Sequence, residues 1–273
     1  MENLTKLEEQ MEKLTAQMDE MQEQIVKLQQ SNPLWGKKYV ACGDSFTQGD
    51  FNDWQDENGL MKRESPVIWD FDWQMFKTYP WWIGKRNNMT VINEALCGSI
   101  VPLSKAYLEG EEGKDINDRN PFSLERYKRI PEDADYCTIW FGINDSPMTY
   151  LGTIEDTDNK TFYGAWNVVL EWILENRPKM KLGIIVTGDG YPEYREATRQ
   201  VARRWGVPYL DIMGDPQVPT THCGKEYQLG LCERAKELRG NKSAWWVSEK
   251  NGHPSLWAHE YQSYFIEAFL RRL

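Results

Sequence analysis

Leu4, Leu7, Met11, Leu14, Met18, Met21, Ile25 and Leu28 recur at intervals that alternate between three and four, with no Gly or Pro between them. A seam with that spacing predicts a coiled-coil helix over residues 1–31. Residues 4, 11, 18 and 25 take the a positions. The flanking e and g positions are mostly uncharged, with Gln10, Gln17, Gln22, Gln24 and Gln29 among them. Gln cannot select an oppositely charged partner, so the pattern favours a homo-oligomer through residues 4–28. The a and d residues are too mixed to decide between dimer and trimer. A single amphipathic helix lying on its own domain is the alternative, although such a helix normally shows a wider apolar stripe. Ser31-Asn32-Pro33 then stops the helix, which gives a linker over 32–37 and a domain over 38–273.

From Lys38 the pattern changes to short apolar runs separated by helical stretches. The runs Tyr39–Cys42, Val91–Leu96, Tyr136–Phe141, Leu182–Thr187 and Tyr209–Ile212 predict five strands. Helices are expected near Trp81–Arg86, Phe162–Asn176, Glu193–Trp205 and Leu256–Leu273, the third ending at Gly206-Val207-Pro208. This alternation is that of an α/β domain with a parallel sheet. Ligands of such sheets bind beyond the carboxyl ends of the strands. Small or reactive residues follow the first three runs: Gly43-Asp44-Ser45, Cys97-Gly98-Ser99 and Gly142-Ile143-Asn144-Asp145. His253-Pro254 precedes the last helix.

Composition narrows the classes of function. The 273 residues carry 32 Lys and Arg against 42 Asp and Glu, a net charge of −10. An acidic chain has no general basic surface for phosphates, so neither nucleic acid nor anionic membrane is an expected partner. No apolar run approaches the roughly 20 residues of a spanning helix. The start, Met1-Glu2-Asn3-Leu4, lacks the basic residues and apolar stretch of a secretory signal, so cytoplasmic synthesis is expected. Cys42, Cys97, Cys137, Cys223 and Cys232 have neither zinc-site nor disulfide-framework spacing, and no metal or other cofactor is expected.

Taken in order, Gly43-Asp44-Ser45, Gly98, Gly142-Ile143-Asn144-Asp145 and His253-Pro254 resemble the SGNH, or GDSL-type, hydrolase superfamily of esterases and lipases. The resemblance covers residues 38–273. It implies a three-layer α/β/α sandwich of flavodoxin-like type with a five-stranded parallel sheet, behind the N-terminal coiled coil. It also implies ester hydrolysis through an acyl-enzyme. The chemistry can be read from the residues as well. A serine hydroxyl is a poor nucleophile near neutral pH, so Ser45 needs an imidazole to take its proton. Of three histidines, His222 lies in a loop-like stretch and His259 falls inside the last helix, which leaves His253 as the base. Attack on an ester makes an oxyanion, for which the Ser45 and Gly98 backbone N–H groups and the Asn144 side-chain amide are suitable donors. Asp44 and Asp145 read as structural residues that hold loops.

The superfamily usually places an Asp three residues before the histidine, and Lys250 stands there in this chain. Glu249 is a substitute acid if the loop differs in shape. Otherwise a backbone carbonyl orients His253 and leaves a Ser–His dyad, or the catalytic function has decayed.

Between Ser45 and the second strand, Trp54, Trp69, Phe71, Trp73, Phe76, Tyr79, Trp81 and Trp82 interleave with Asp53, Asp56, Asp70 and Asp72. Indole faces beside carboxylates suit sugar rings, and Trp54, Trp73 and Trp81 are the candidate substrate contacts; the same aromatics also suit the packing of an irregular insertion. The expected activity is a serine esterase acting on O-acetyl or other short acyl esters, on a glycan or a small ester. A lysophospholipase or thioesterase is the alternative among enzymes, and a non-catalytic glycan-binding stalk protein the alternative outside them. A stalk before such a domain resembles bacteriophage tail proteins that deacetylate surface polysaccharide, which would imply a place on a virion.

Overall fold

The structure is a computed structural model that describes residues 2–50, 65–110, 120–186, 192–212 and 253–273. Helix α1 (Glu2–Ser31) leads into β1 (Lys38–Gly43), α2 (Ser45–Gln48), a small pair β2 (Trp69–Asp70) and β3 (Met75–Phe76), α3 (Tyr79–Asn87) and β4 (Thr90–Asn93). There follow α4 (Lys105–Leu108), β5 (Tyr136–Trp140), α5 (Asp145–Met148), α6 (Phe162–Asn176), β6 (Lys181–Ile185), α7 (Pro192–Arg204), β7 (Tyr209–Leu210) and α8 (Leu256–Leu270).

Five strands form one parallel sheet in the order β4-β1-β5-β6-β7. The central strands are buried almost throughout: every residue of β5 and all but the first of β1 and β6. That is why they read as continuous apolar runs rather than alternating ones. The pleat sends successive residues to opposite faces. Val40, Cys42, Cys137 and Ile139 face a core completed by Trp166, Val169 and Leu170 of α6 and by Ala197 and Val201 of α7. Tyr39, Ala41, Tyr136 and Trp140 face a second core made with Tyr79 and Ile83 of α3 and Ile266 and Phe269 of α8. The result is the α/β/α sandwich expected. On the second face α8 lies so close to β6 that a Cβ on Gly183 would stand 2.4 Å from the Phe269 ring.

After β1 the chain goes to one side of the sheet to form β4, then crosses to the other to form β5. The reversal opens a crevice at the carboxyl ends of β1 and β5, where ligands of such sheets bind. Helix α1 enters at the opposite, amino end of β1, roughly 20 Å away along a strand of six residues. Segment 32–37, read from sequence as a linker, is seated on the domain. Leu34 is fully buried in the second core. Asn32 donates to Asn87 Oδ1 at 2.9 Å and accepts from Arg271 at 2.7 Å, which fixes the foot of α1 to α3 and to the end of α8.

Candidate active site

β1 ends at Gly43 and the chain turns at once into α2. A Cβ at Gly43 would meet Thr47 Oγ1 at 2.3 Å and the Trp140 carbonyl oxygen at 2.8 Å, so only glycine lets this turn pack against β5. Asp44 caps α2, its Oδ1 accepting from the Phe46 N–H at 2.9 Å. The Thr47 hydroxyl meets the Tyr79 hydroxyl at 3.1 Å and holds the far side of the short helix. Ser45, 4% exposed, is thereby fixed just beyond the end of the central strand.

His253 reaches the same point from the other end of the chain. Its Nε2 lies 2.7 Å from Ser45 Oγ. The Phe46 ring supports the imidazole, with centroids 5.5 Å apart. Just downstream, Ser255 Oγ accepts from the Ala258 N–H at 3.1 Å and caps α8. Leu256 packs on Ile68, Trp69 and Phe76 of the β2–β3 unit. The His253 loop is therefore anchored on its carboxyl side. His259 lies within α8, and burial, aided by nearby His253, pushes its pKa down to about 3. It stays neutral near pH 7 and cannot take up a proton there. His222 lies outside the described residues.

Hydrogen bonds draw the proposed oxyanion donors to the same place. The Leu96 N–H donates to the Gly43 carbonyl at 3.0 Å, and the Cys97 N–H to Gln48 Oε1 of α2 at 2.7 Å. These bonds hang the Cys97–Ser99 turn on the serine-bearing segment. Gly98 sits in it at φ 74°, the left-handed region that glycine enters without strain. Asn144 Nδ2 donates to the Ser99 carbonyl at 3.1 Å, which joins the end of β5 to this turn. An amide NH₂ carries two hydrogens, so this bond leaves the second for another acceptor.

Two further carboxyl groups on these segments, those of Asp44 and Asp145, are buried. Asp145 Oδ1 accepts from the Val101 N–H at 2.7 Å and ties the turn to α5. Burial pushes Asp44 up to about 8 and Asp145 up to about 7. Near pH 7 Asp44 is thus mostly uncharged.

A third carboxylate was not singled out in the sequence. Asp50 Oδ2 lies 4.0 Å from His253 Nε2, on the side facing Ser45. Its only sequence signal is proximity to the serine, five positions on in Gln48-Gly49-Asp50, where an Asp after a Gly reads as a turn residue. Glu249, the acid weighed from sequence, and Trp54 lie outside the described residues. Trp73 and Trp81 belong to the β2–β3 unit and α3. Trp81 Nε1 donates to Asp70 Oδ2 at 2.7 Å, while the Lys85 ammonium stands 4.3 Å from the Trp73 ring centre and 5.5 Å from that of Trp81. No hydrogen bond or ring contact among the described residues joins either indole to Ser45 or His253, and Lys85 stands over the Trp73 ring.

Comparison with solved structures gives the same architecture. A protein described as a GDSL-like lipase from Bacteroides ovatus matches with a TM-score of 0.57 at 17% identity, over 87% of this chain and 100% of that one. Another so described, from Bacteroides uniformis, matches with a TM-score of 0.57 at 16% identity, over 87% and 97%. A protein from Lactobacillus plantarum also reaches 0.57, at 19% identity, over 87% and 98%. The chain therefore has the fold of the GDSL-like lipases. No protein-family profile and no curated protein matches the sequence.

Proposed function

We propose that this chain is a serine ester hydrolase of the SGNH type that removes acetyl or other short acyl groups from a hydroxylated, carbohydrate-like substrate. The observation that carries the reading is the 2.7 Å contact between Ser45 Oγ and His253 Nε2, made across 208 positions of sequence at the switch point of the sheet. Ser45 Oγ attacks the ester carbonyl while its proton passes to Nε2. The carbonyl oxygen becomes an oxyanion before the Ser45 and Gly98 N–H groups and the free hydrogen of the Asn144 amide. Collapse breaks the bond to the alcohol, which leaves with the proton from His253 and an acyl group on Ser45. Water, giving its proton to the same nitrogen, then adds to the acyl carbon, and collapse breaks the bond to Ser45 Oγ, which takes that proton back from His253 as the carboxylic acid leaves.

The imidazolium formed in each half needs a nearby negative charge. Asp50 supplies it from the serine side in place of the acid that Lys250 displaces. The carbohydrate preference rests on Trp257, which is 59% exposed four residues beyond His253. An exposed indole face suits the C–H face of a sugar.

The purified protein is expected to hydrolyse p-nitrophenyl acetate, faster than the longer acyl esters that a lipase prefers. Ser45→Ala and His253→Ala should each lower kcat by roughly 10³-fold or more. Equal rates for wild type and Ser45→Ala would end the catalytic reading. A rate that climbs with acyl length would replace the short-acyl assignment with a lipase one.

A further inference from the structure

The esterase reading leaves the first 31 residues without a task. Helix α1 is 30 residues long, about 45 Å, and is attached to the domain at its foot. Along the seam from Leu7 to Leu28 the heptad residues are 43–70% exposed, each one among the exposed large apolar side chains of the molecule. A domain-packed helix would hide this stripe against its own core, and α1 does not. The seam keeps the alternating three-and-four spacing that carries helices around one another rather than the wider face that lies on a globular surface.

We propose that α1 is a self-assembly element whose seam is covered by the seam of another copy of this chain, as a dimer or trimer. Homotypic pairing follows from the residues beside the seam. Of the eight e and g positions from Glu8 to Ser31, only Glu8 is charged and five are Gln. A partner of different sequence is normally chosen by complementary charges at those positions, and this helix offers one charge in eight. Two seams of four heptads bury an area on the order of the ~800 Å² per partner found in stable complexes. The foot lies at the amino edge of the sheet, so the pairing does not draw on the crevice residues.

Light scattering on the full-length chain tests this. Wild type is expected at two or three times the 32.1 kDa chain mass. Leu14→Lys with Met21→Lys places charges at two exposed d positions and should give a single chain at the same concentration. Ala16→Lys with Glu23→Lys, on the outward f positions, should keep the wild-type mass. All three proteins should show the same thermal unfolding of the domain, which separates lost assembly from lost folding. A wild-type mass of one chain, or seam and outward variants with the same mass, would overturn the proposal whatever reaction the domain catalyses.

Discussion

Asp50 and Asp44 show how position decides what a carboxyl group does. Asp50 stands 4.0 Å from His253 Nε2, beside the charge that forms during reaction. Two unit charges at that distance interact by about 1 kcal/mol in water-like surroundings, which is about fivefold in rate. Asp50→Asn keeps the shape and removes the charge, so kcat for p-nitrophenyl acetate should fall about fivefold with little change in KM. A kcat within a factor of 1.5 of wild type would remove Asp50 from the mechanism. Asp44, in contrast, is buried and holds its proton in the folded state up to about 8, against an ordinary 3.8. Between these values the native chain binds more protons than the unfolded one, so the contribution of Asp44 to stability falls as pH rises through that window and is constant above it. Asp44→Asn retains the carbonyl that caps α2 and removes the titration. Its unfolding midpoint should therefore drop less than that of wild type between pH 5 and pH 8 in urea titrations. Parallel slopes would show that Asp44 is ionised in the native state. Ser45, Gly98, Asn144 and His253 could be placed from the sequence because each has a fixed relation to a strand or helix end. Asp50 could not, because nothing local distinguishes a turn aspartate in water from one facing an imidazole.

At the scale of elements, α8 determines whether the histidine arrives. Ser255 caps it through the Ala258 N–H, and Leu256 seats its first turn against the β2–β3 unit. Ser255→Ala should cost about 1 kcal/mol of stability. It should also lower kcat, since fraying of the first turn loosens the segment next to His253. Ser255→Asp, another good cap, should restore both, and a loss of stability with full activity would show that the loop is held by other contacts. The helices and inner strands were legible for one physical reason: α6, the fully buried β5 and the nearly buried β1 carry apolar patterns set by their own burial. The ends of edge elements were less so. β4 stops at Asn93 rather than Leu96, although the Glu94 and Leu96 N–H groups still donate to the Ala41 and Gly43 carbonyls of β1, and β7 spans only Tyr209–Leu210. β2 and β3 have two residues each and are organised by Asp70, whose Oδ1 accepts from the Asp72 and Trp73 N–H groups, a scale below any periodicity.

For the whole molecule, the order β4-β1-β5-β6-β7 follows from no single run of residues; the four motifs and their resemblance to a known architecture supplied it. The heptad seam is the reverse case, a long-range property written entirely in local spacing. What neither pattern contains is the docking of Leu34 and the Asn32–Asn87–Arg271 bonds, which depend on surfaces brought together only after folding. Those bonds make the junction stiff, and β1 separates it from Ser45 by the full depth of the sheet. If chains are gathered by their N-terminal helices, or tethered to a particle through them, each reactive serine points outward from the point of attachment. In such an arrangement the crevice of each copy lies at the far end of its sheet from the shared helices, so no copy's crevice is covered by the pairing of another.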